Sequence, residues 1–538
     1  MVITPLGHTE FLVDIANPAG DNVRILVDTW LSDYVVGDLM ERSTKIILDS
    51  DKMTSIDAIY ISHPHTDHLD PYTLMEIYNS KTLFIKRDEG DFVCETKEKN
   101  PQSSNLLQTV PLQRNSQKPL LILPVTLGFL APLFAEYLPS ARIHWLVPRD
   151  IFLLNGVEIT GYMFAQADIT NEDAVMMISI SSDRELLFAE IDTVPDEYDA
   201  NIASELFRIF DRNEYETRCY LASRNELEGQ LRIYDFEGNK RKSFRSEYIA
   251  NRKEEIRASY EKYEYEEYSD IDNIATLPGF VRGYVGQGLQ YPVSLSASLA
   301  ELSIFPLDEI ASMESDIARG FGYDFVQKAL VVGRQYKIEN GTIEQGRKEC
   351  PIGELKNKNE IIKVDKEIEK RIYAKGPLIP REYTPDELTL SIAKIRNILN
   401  NRFLPYWSAS PVASLRSALI QNTDGAYRIQ FKVDSNTSII FEYAFASMQF
   451  HEVSFVLNMH IDEDYWISDI LDFLEGKQEL YSNFWHTLDP KRIYRLWTCL
   501  GADYMNNSLV IAKYRLHFER ATRGETASEW VKGIVGKI

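Results

Sequence analysis

Residues 61–71 read ISHPHTDHLDP, and this short polar run decides how the rest of the chain is interpreted. Within it, three histidines and an aspartate lie close together, in the order His63, His65, Asp67 and His68. The apolar segment IDAIY just before the run predicts a strand, and DPYTLMEIYNS at its end predicts a helix. Loops between a strand and a helix commonly carry the active sites of α/β proteins. The sequence therefore predicts a binding site on this loop.

The spacing of these side chains favours a metal site. In an extended loop, residues two apart point the same way, so His63 and His65 can face one ion while Asp67 and His68 turn toward a neighbouring point. Imidazole nitrogens suit zinc, iron, manganese or nickel, and a carboxylate favours the harder ions. The alternative is a polar surface loop without function. The density of possible ligands between residues 63 and 70 argues against that alternative.

Length and charge limit the possible classes of protein. The chain has 538 residues, which is too long for one ordinary core and predicts two or more domains. It is 44% hydrophobic and 26% charged, as folded proteins are. Its formal net charge is −23 and its pI is near 5.0, whereas phosphate groups are bound by basic surfaces. We therefore expect neither a nucleic-acid nor a membrane partner.

Three further features predict a cytoplasmic protein. The N-terminus MVITPLGHTEFLVDI lacks the basic and apolar regions of a secretory signal. The longest apolar run, PLLILPVTLGFLAPLFAEYL at 119–138, contains prolines and Glu136, so it predicts a strand and a helix rather than a membrane span. The four cysteines are far apart and form no CxxC pair, which suits a reducing compartment and predicts no disulfide framework.

Apolar patterning predicts an α/β fold for the first part of the chain. The segments EFLVDI, RILVDTW and IDAIYIS predict strands, and a strand–helix–strand passage follows at 119–147. Further along, NGVEITGYMF, AVMMISIS and ELLFAEID predict consecutive strands, two of them apolar enough to be buried on both faces. We expect stacked sheets covered by helices.

A smaller α+β domain is predicted at 383–538. The segments PDELTLSIAKIRNILNNRF and WISDILDFLEGK predict helices, and AYRIQFKVD, SIIFEYAF and EVSFVLNMHI predict strands. Charge runs and Pro–Gly breaks at 346–382 predict a linker or an excursion between the domains. The charged stretch 241–270 predicts a solvated helix.

The motif also carries a resemblance. HPHTDH at 63–68 is similar to the HxHxDH signature of the metallo-β-lactamase superfamily, and RILVDTWLS with Asp28 resembles its D-P-W-L segment. LGHTEFLVDI with His8 resembles the opening strand of the branch that includes the ascorbate-phosphate lactonases. IDAIYISHPHTDHLDPYTL and the tail WISDILDFLEGKQELYSNFWHTL resemble CMP-N-acetylneuraminate hydroxylases. The resemblance implies an αββα metallo-β-lactamase sandwich at 1–345.

The same resemblance implies a set of metal ligands. These are His63, His65, Asp67 and His68, together with Asp192, which ends the apolar strand in ELLFAEIDTVPDE and would bridge two ions. Asp67 is also the expected catalytic residue, because the family places an aspartate there that orients the nucleophile. The alternative reading of an aspartate that ends a strand is a turn or helix cap.

The chain departs from the family at two further histidine ligands. None of its nine histidines lies between His144 and His451. The family, in contrast, places one histidine ligand shortly before the position of Asp192 and another after it. Where the first belongs, YMFAQADITNEDAVMM offers acids and an amide, and we choose Asp168 as the replacement, with a solvated turn as the alternative.

The second missing ligand falls in a glycine-rich stretch. PGFVRGYVGQGLQYP offers only the amides Gln287 and Gln290 as replacements. His460 or His486 of the C-terminal domain could also reach the site. We expect these two histidines to belong to that domain itself, because a lone histidine seldom marks a ligand.

These departures predict a harder, more open site for one or two divalent metal ions, with iron favoured and zinc or manganese possible. Two histidines and a carboxylate with open positions are typical of non-haem Fe(II) oxygenases. We therefore favour an oxygenase or hydroxylase acting on a small molecule. The alternatives are a metal-dependent hydrolase of esters, lactones or phosphoesters, and a non-catalytic binding protein with a degenerate site. No Cys-x-His plus Cys-x-x-His pair is present, so the electrons of an oxygenase would have to come from a separate electron-transfer protein or from the substrate.

Overall fold

The computed structural model of the chain describes most of its secondary structure. The described residues are 1–35, 41–42, 44–53, 55–79, 93–97, 110–111, 118–163, 175–192, 200–224, 250, 253–254, 257–258, 274–286, 289–290, 307–356, 381–405, 426–444, 447–457, 459–477, 495–502 and 508–535. The predicted ligand Asp168 and most of the predicted helix at 241–270 lie outside them.

The helices and strands have the following bounds. The strands are β1 Val2–Pro5, β2 Phe11–Ala16, β3 Asn22–Val27, β4 Glu41–Arg42, β5 Lys45–Leu48, β6 Ala58–Tyr60, β7 Val93–Lys97, β8 Val110–Pro111, β9 Leu120–Pro124, β10 Arg142–Leu146, β11 Ile151–Leu154, β12 Val157–Tyr162, β13 Met177–Ser181, β14 Glu185–Ala189, β15 Thr217–Ser223, β16 Phe280–Val285, β17 Leu289–Gln290, β18 Val326–Ala329, β19 Tyr336–Glu339, β20 Thr342–Gln345, β21 Gly353–Lys356, β22 Tyr427–Lys432, β23 Ser438–Ala444, β24 Gln449–Val453 and β25 Glu463–Trp466. The α-helices are α1 Ser50–Met53, α2 Pro71–Asn79, α3 Ala131–Tyr137, α4 Ala200–Phe210, α5 Leu307–Gly320, α6 Pro385–Ile398, α7 Ile467–Leu474, α8 Arg495–Ala502, α9 Ser508–Thr522 and α10 Ala527–Val535. A 3₁₀ helix spans Val125–Leu130, and a π-helical turn spans Leu399–Phe403.

Two large sheets dominate the described part of the first 345 residues. One has the strand order β10-β9-β6-β3-β2-β1-β19-β20, and the other has the order β18-β16-β15-β14-β13-β12-β11-β7-β8. In the first sheet β3, β6 and β9 are parallel, whereas β1 and β2 form an antiparallel hairpin beside them. In the second sheet β14 runs parallel to β15, and β15 runs parallel to β16.

The two sheets face each other across one apolar core. Alternate residues of the first sheet, such as Val13, Ile25 and Val27, pack in the same cluster as Ile180 and Leu187 of the second sheet. Helices α2, α3 and α9 cover the outer face of the first sheet, and α4 and α5 cover that of the second. Strand β13 is buried along its whole length because its sheet is covered on both sides. The predicted α/β class and αββα layering are confirmed.

A smaller sheet follows in the C-terminal part. Its strand order is β24-β23-β22-β25, and it packs with α6, α7 and α8 around a core of its own. Thr384 and Glu387 form a capping box that starts α6, as the helix prediction requires. The predicted strand EVSFVLNMHI is largely wrong, because β24 ends at Val453. Its pairing with β23 ends at Ile440 and Val453, and the next residues, 454–457, are exposed and form no strand.

The C-terminal helices also contact the first sheet's outer layer. Tyr514 and Phe518 of α9 are buried in the cluster that contains α2 and α3, and the rings of Phe518 and Tyr137 stack at 5.2 Å. Strand β21, within the stretch expected to be a linker, pairs with β5. The boundaries 1–345, 346–382 and 383–538 stay predictions. Among the described residues, no helix has the length and apolar character that a membrane crossing needs.

Candidate metal centre

Four connections bring the candidate site together. The motif loop, residues 61–70, connects β6 to α2, and the turn 6–10 connects β1 to β2 in the same sheet. Asp28 follows β3, which pairs in parallel with β6. Asp192 follows β14 and so comes from the facing sheet. The site therefore lies where the ends of strands from both sheets meet.

Five of the predicted ligands lie close together. The ligand atoms of His63, His65 and Asp192 lie within 4.8 Å of one another, and Asp192 Oδ2 is 3.8 Å from His63 Nε2 and 3.9 Å from His65 Nδ1. His68 Nε2 lies 3.5 Å from the same Asp192 oxygen and 3.9 Å from Asp67 Oδ1. Asp192 thus stands between two groups of imidazoles, the position that was predicted for a bridging carboxylate.

The motif loop is a turn rather than an extended segment. The backbone amides of His68 and Leu69 both donate to the carbonyl of His65. Asp70 ends the loop as the cap of α2, since its carboxylate accepts from the Tyr72 amide at 3.0 Å and the Thr73 hydroxyl at 2.7 Å. Pro71 at the first helical position suits this start. The turn places the His63 ring between those of His65 and His68, with centroid distances of 4.3 and 4.0 Å.

Asp28 fixes the orientation of two neighbouring side chains. Its carboxylate accepts from the Ser62 amide at 2.8 Å and contacts His68 Nδ1 at 2.7 Å. Ser62 Oγ in turn lies 2.8 Å from His63 Nδ1. With Nδ1 engaged, the Nε2 atoms of His63 and His68 point toward Asp192, which is the arrangement that metal-binding histidines use. Asp28 has a φ of 57°, a left-handed conformation that aspartate tolerates better than most residues.

Asp192 is held by strained backbone and a buried ionic network. Ile191 is buried with a φ of 67°, which is a strained conformation for a β-branched residue. The preceding Glu190 accepts from the Tyr220 hydroxyl at 2.6 Å, the Ser223 amide at 2.9 Å and Arg224 at 3.1 Å. These bonds tie the end of β14 to β15, so the direction of the Asp192 side chain is fixed.

Two buried imidazole nitrogens show that the residues present fit a metal ion. The Nε2 atoms of His63 and His68 have no solvent contact and no hydrogen-bond partner within the described part of the chain. A buried nitrogen without a partner carries a desolvation cost, and an ion between it and the Asp192 carboxylate would remove that cost. The two rings lie with centroids 4.0 Å apart, a spacing that disfavours a positive charge on both.

The charges of the site are unevenly distributed among its histidines. Burial and the neighbouring His68 hold the pKa of His63 well below its usual range. Burial also acts to lower the pKa of His68, but the charges of Asp28 and Asp67 outweigh it and raise that pKa well above its usual value. For Asp67, burial is outweighed by His68 and His8, and its pKa falls to about 2. The carboxylates are therefore ionised, as metal ligands must be.

His8 is a residue of the site that the sequence reasoning did not identify as a functional group. Its Nε2 lies 3.3 Å from Asp67 Oδ2 and 4.0 Å from Asp192 Oδ1. The ring is 2% exposed and lies edge-on to His68, with centroids 5.6 Å apart. The signal in the sequence was the histidine in LGHTEF, between two strands that precede the motif strand. That signal could not be used without the order of the strands in the sheet.

Of the remaining candidates, only His460 has a described side chain, and it does not join these groups. His460 is exposed and pairs with Asp462 at 3.5 Å in the C-terminal part, as expected for a residue of that domain. His486 and Gln287 lie outside the described residues, as does Asp168. Gln290 belongs to the two-residue strand β17, whose backbone pairs with β4.

A different C-terminal residue does contact the motif loop. The Tyr514 hydroxyl of α9 donates to the carbonyl of Pro64 at 2.6 Å, inside the motif itself. Three residues further on, His517 lies 3.0 Å from the Tyr72 hydroxyl of α2. The C-terminal part therefore supports the loop from outside without supplying a ligand among its described residues.

Comparisons with known proteins give partial similarities. No known protein-family model matches the chain. A protein of Mycolicibacterium smegmatis described as a putative Rieske 2Fe-2S iron-sulfur protein is 31% identical over 88 residues, which is 16% of this chain and 16% of that protein. Two solved structures of CmlA, one described as a diiron β-hydroxylase from Streptomyces venezuelae and the other as its mutant, superpose with TM-scores of 0.30 and 0.29 at 10% identity.

The coverage of these matches is partial. The superpositions with CmlA cover 62% and 59% of this chain and 52% and 50% of the CmlA chains. At these TM-scores the superpositions do not show what this chain does. The chain is an αββα protein in which histidines and aspartates form groups that could hold metal ions. Its histidine motif is similar to that of the metallo-β-lactamase superfamily.

Proposed function

We propose that the chain is a non-haem iron oxygenase or hydroxylase that acts on a small molecule. One observation carries this proposal, namely the group formed by His63, His65 and Asp192. Two histidines and one carboxylate are the donor set associated with non-haem Fe(II) oxygenases, which leave the other coordination positions open for oxygen and substrate. Asp67 and His68, with Asp192 shared, would hold a second ion.

The side chains divide into an inner and an outer set. His63 and His68 have no exposed surface, whereas the side chains of Asp67 and Asp192 are 22% and 27% exposed. A substrate would therefore approach from the carboxylate side. Asp28 and Ser62 hold the inner imidazoles from behind, so the chain's own role is to orient the ligands. When bound, iron would supply the activation of dioxygen at its open positions.

The reaction also needs electrons. Hydroxylation of a C–H bond by dioxygen consumes two electrons and two protons and releases one water molecule. The chain has no Cys-x-His plus Cys-x-x-His pair to hold a Rieske cluster. A separate electron-transfer protein is therefore part of the proposal. The name of the Mycolicibacterium smegmatis relative, which refers to a Rieske 2Fe-2S protein, supports an iron–sulfur protein as the first donor to try. A cytoplasmic location stays a prediction.

One observation favours hydrolysis as the second candidate. Asp67 is ionised, partly exposed, and lies beside Asp192, so it could orient a water molecule for attack on an ester, lactone or phosphoester. In that case the ions would polarise the scissile bond, and no electron donor would be needed. The two candidates differ in the metal they need and in oxygen uptake.

Metal analysis of the full chain, purified without added metal, tests the proposal. Iron or manganese at about one or two equivalents, with oxygen uptake when a reductant is present, is expected for the oxygenase. The paired change of His63 and His65 to alanine should remove at least one equivalent of metal and abolish oxygen uptake. His460→Ala should retain full metal content and uptake, because His460 is an exposed residue of the C-terminal part.

The other outcomes overturn the proposal in different ways. Zinc with turnover of lactones or phosphodiesters and no oxygen uptake would establish the hydrolase instead. Absence of bound metal, with metal affinity undetectable after addition of iron, zinc or manganese, would leave a binding protein with a degenerate site.

A further inference from the structure

The second group of donors contains a residue from the first turn of the chain. His8, His68 and Asp192 each offer one ligand atom, and these three atoms lie within 4.8 Å of one another. Asp67 lies between His8 and His68, with one carboxylate oxygen toward each. Without His8, this group would hold only one nitrogen. With His8, it mirrors the first group by offering two imidazoles and a shared carboxylate.

The distances are those of a coordination sphere that has no ion in its centre. Donor atoms bound to one ion at about 2.0–2.2 Å cannot lie more than about 4.4 Å apart. His8 Nε2 is 3.3 Å from Asp67 and 4.0 Å from Asp192. His68 Nε2 is 3.9 Å from Asp67 and 3.5 Å from Asp192. All four separations fall inside that limit, so none of these histidine–carboxylate pairs is too far apart to share an ion.

The turn that carries His8 is built to hold its position. Arg42 is buried beneath it and donates to the carbonyls of Leu6 and Trp30. Glu10, also buried, lies 3.6 Å from Arg42, and its backbone carbonyl accepts from the Leu6 amide at 2.7 Å. A Cβ atom on Gly7 would lie 2.3 Å from Glu10 Oε2, so glycine lets the turn close over this pair. The turn is therefore rigid, as a loop that presents a ligand should be.

A simpler role for His8 is a hydrogen bond that orients Asp67. The arrangement fits that role less well, because His8 Nε2 faces carboxylates from two different residues and two different sheets. A single N–H can serve one of them well, whereas an ion serves both. His8 is also buried, with 2% exposure, so water cannot screen the charges of the two carboxylates from each other at this point.

We infer that His8 Nε2 is a ligand of a second metal ion, together with His68, Asp67 and Asp192. This inference rests on the proposed function only in that the motif loop binds metal. His8 would then take the role of one of the two family histidine ligands that the chain lacks. His8 comes from the turn between β1 and β2 rather than from the later loops.

Titration of the metal-stripped full chain with Co²⁺ alone tests the assignment. The wild-type protein should bind two equivalents, and His8→Ala should keep the first while losing at least about tenfold to 100-fold in affinity for the second. His8→Gln, which can still donate to Asp67, should lose the second ion as well. Added imidazole should restore the second equivalent to His8→Ala, with the visible ligand-field spectrum of the wild-type protein. His451→Ala, an exposed change in β24, is the matched control and should bind both ions.

Each result decides between ligand and positioning roles. Unchanged binding of two ions by both His8 variants would overturn the inference while leaving the proposed function intact. Retention of the second ion by His8→Gln alone would also overturn it, because His8 would then only orient Asp67. Failure of the wild-type protein to bind any ion would instead overturn the proposed function. Melting of the metal-free variants at the wild-type temperature shows that they fold.

Discussion

Replacing Asp28 by asparagine is the sharpest test of how the site is organised. Asparagine has nearly the same shape and tolerates the left-handed backbone that this position adopts, with a φ of 57°. It can still accept from the Ser62 amide, a bond of 2.8 Å. It cannot hold a charge beside His68 Nδ1, which lies 2.7 Å away in the native chain. The change therefore removes one charge and little else.

The expected loss of metal affinity follows from that contact. A hydrogen bond to a charged group contributes about 1.5–3 kcal/mol, and it fixes which nitrogen of His68 carries the proton. Losing the contact lets His68 place its proton on Nε2, the atom that faces Asp192. At about 1.4 kcal/mol per tenfold, we expect metal affinity to fall by about 10- to 100-fold.

The loss should depend on pH in a defined direction. Burial lowers the pKa of His68, but Asp28 and Asp67 raise it above the usual 6.5, so in the native chain protons compete with metal as the pH falls. Asp28→Asn removes one of the causes that raise this pKa. The variant should therefore lose less affinity than the native chain as the pH falls, and its deficit should be largest at about pH 8.

Chelator-competition titrations with Zn²⁺ between about pH 6 and about pH 8 measure both effects. Asp14→Asn is the matched control, because Asp14 pairs with Arg24 at 2.6 Å in the same sheet and lies in none of the candidate metal groups. Equal affinity of Asp28→Asn and the native chain at the upper pH, or an equal loss in Asp14→Asn, would refute the orienting role of Asp28.

Three further changes test the surroundings of the site. Tyr514→Phe leaves the Pro64 carbonyl without its 2.6 Å donor, so it should cost about 1–3 kcal/mol in the free energy of unfolding, measured by urea denaturation, and should weaken metal binding. Burial lowers the pKa of His517 to about 3. Below about pH 6.5 this histidine is therefore protonated in the unfolded chain but stays neutral in the folded chain, so the free energy of unfolding falls as the pH drops toward 3. His517→Gln should lose stability less steeply than the native chain over that window, measured as melting temperature against pH. Gly7→Ala forces a Cβ against Glu10, 2.3 Å away, and should cost about 1–3 kcal/mol in urea denaturation, whereas an unchanged midpoint would show that the turn is not tightly closed.

Local patterns predicted the elements and the motif loop well. The segments IDAIY and DPYTLMEIYNS became β6 and α2, and the helix begins at Pro71, one residue after the start of the predicted segment. The αββα layering follows from strands that are apolar on both faces, such as β13. Each of these features depends on residues close together in the chain.

Contacts between distant segments could not be predicted in the same way. His8 reaches the motif loop only because the strands β6, β3, β2 and β1 lie in that order in one sheet. Tyr514 reaches Pro64 across 450 positions of sequence. Strand β24 ends at Val453, although the apolar pattern of 452–461 continues to Ile461. Sequence spacing thus located the motif loop but not the distant residues that lie beside it and support it.

The position of Asp192 gives the site a structural role as well. His8, His63, His65, Asp67 and His68 all belong to connections of the first sheet, whereas Asp192 alone comes from the second. A carboxylate shared by two groups of imidazoles therefore joins the two halves of the sandwich at their ends. Because ligands that bind only the folded state stabilise it by mass action, an ion held there would stabilise the packing of one sheet on the other. The strained backbone at Ile191 is consistent with this role, since strain persists where surrounding contacts fix the chain in place.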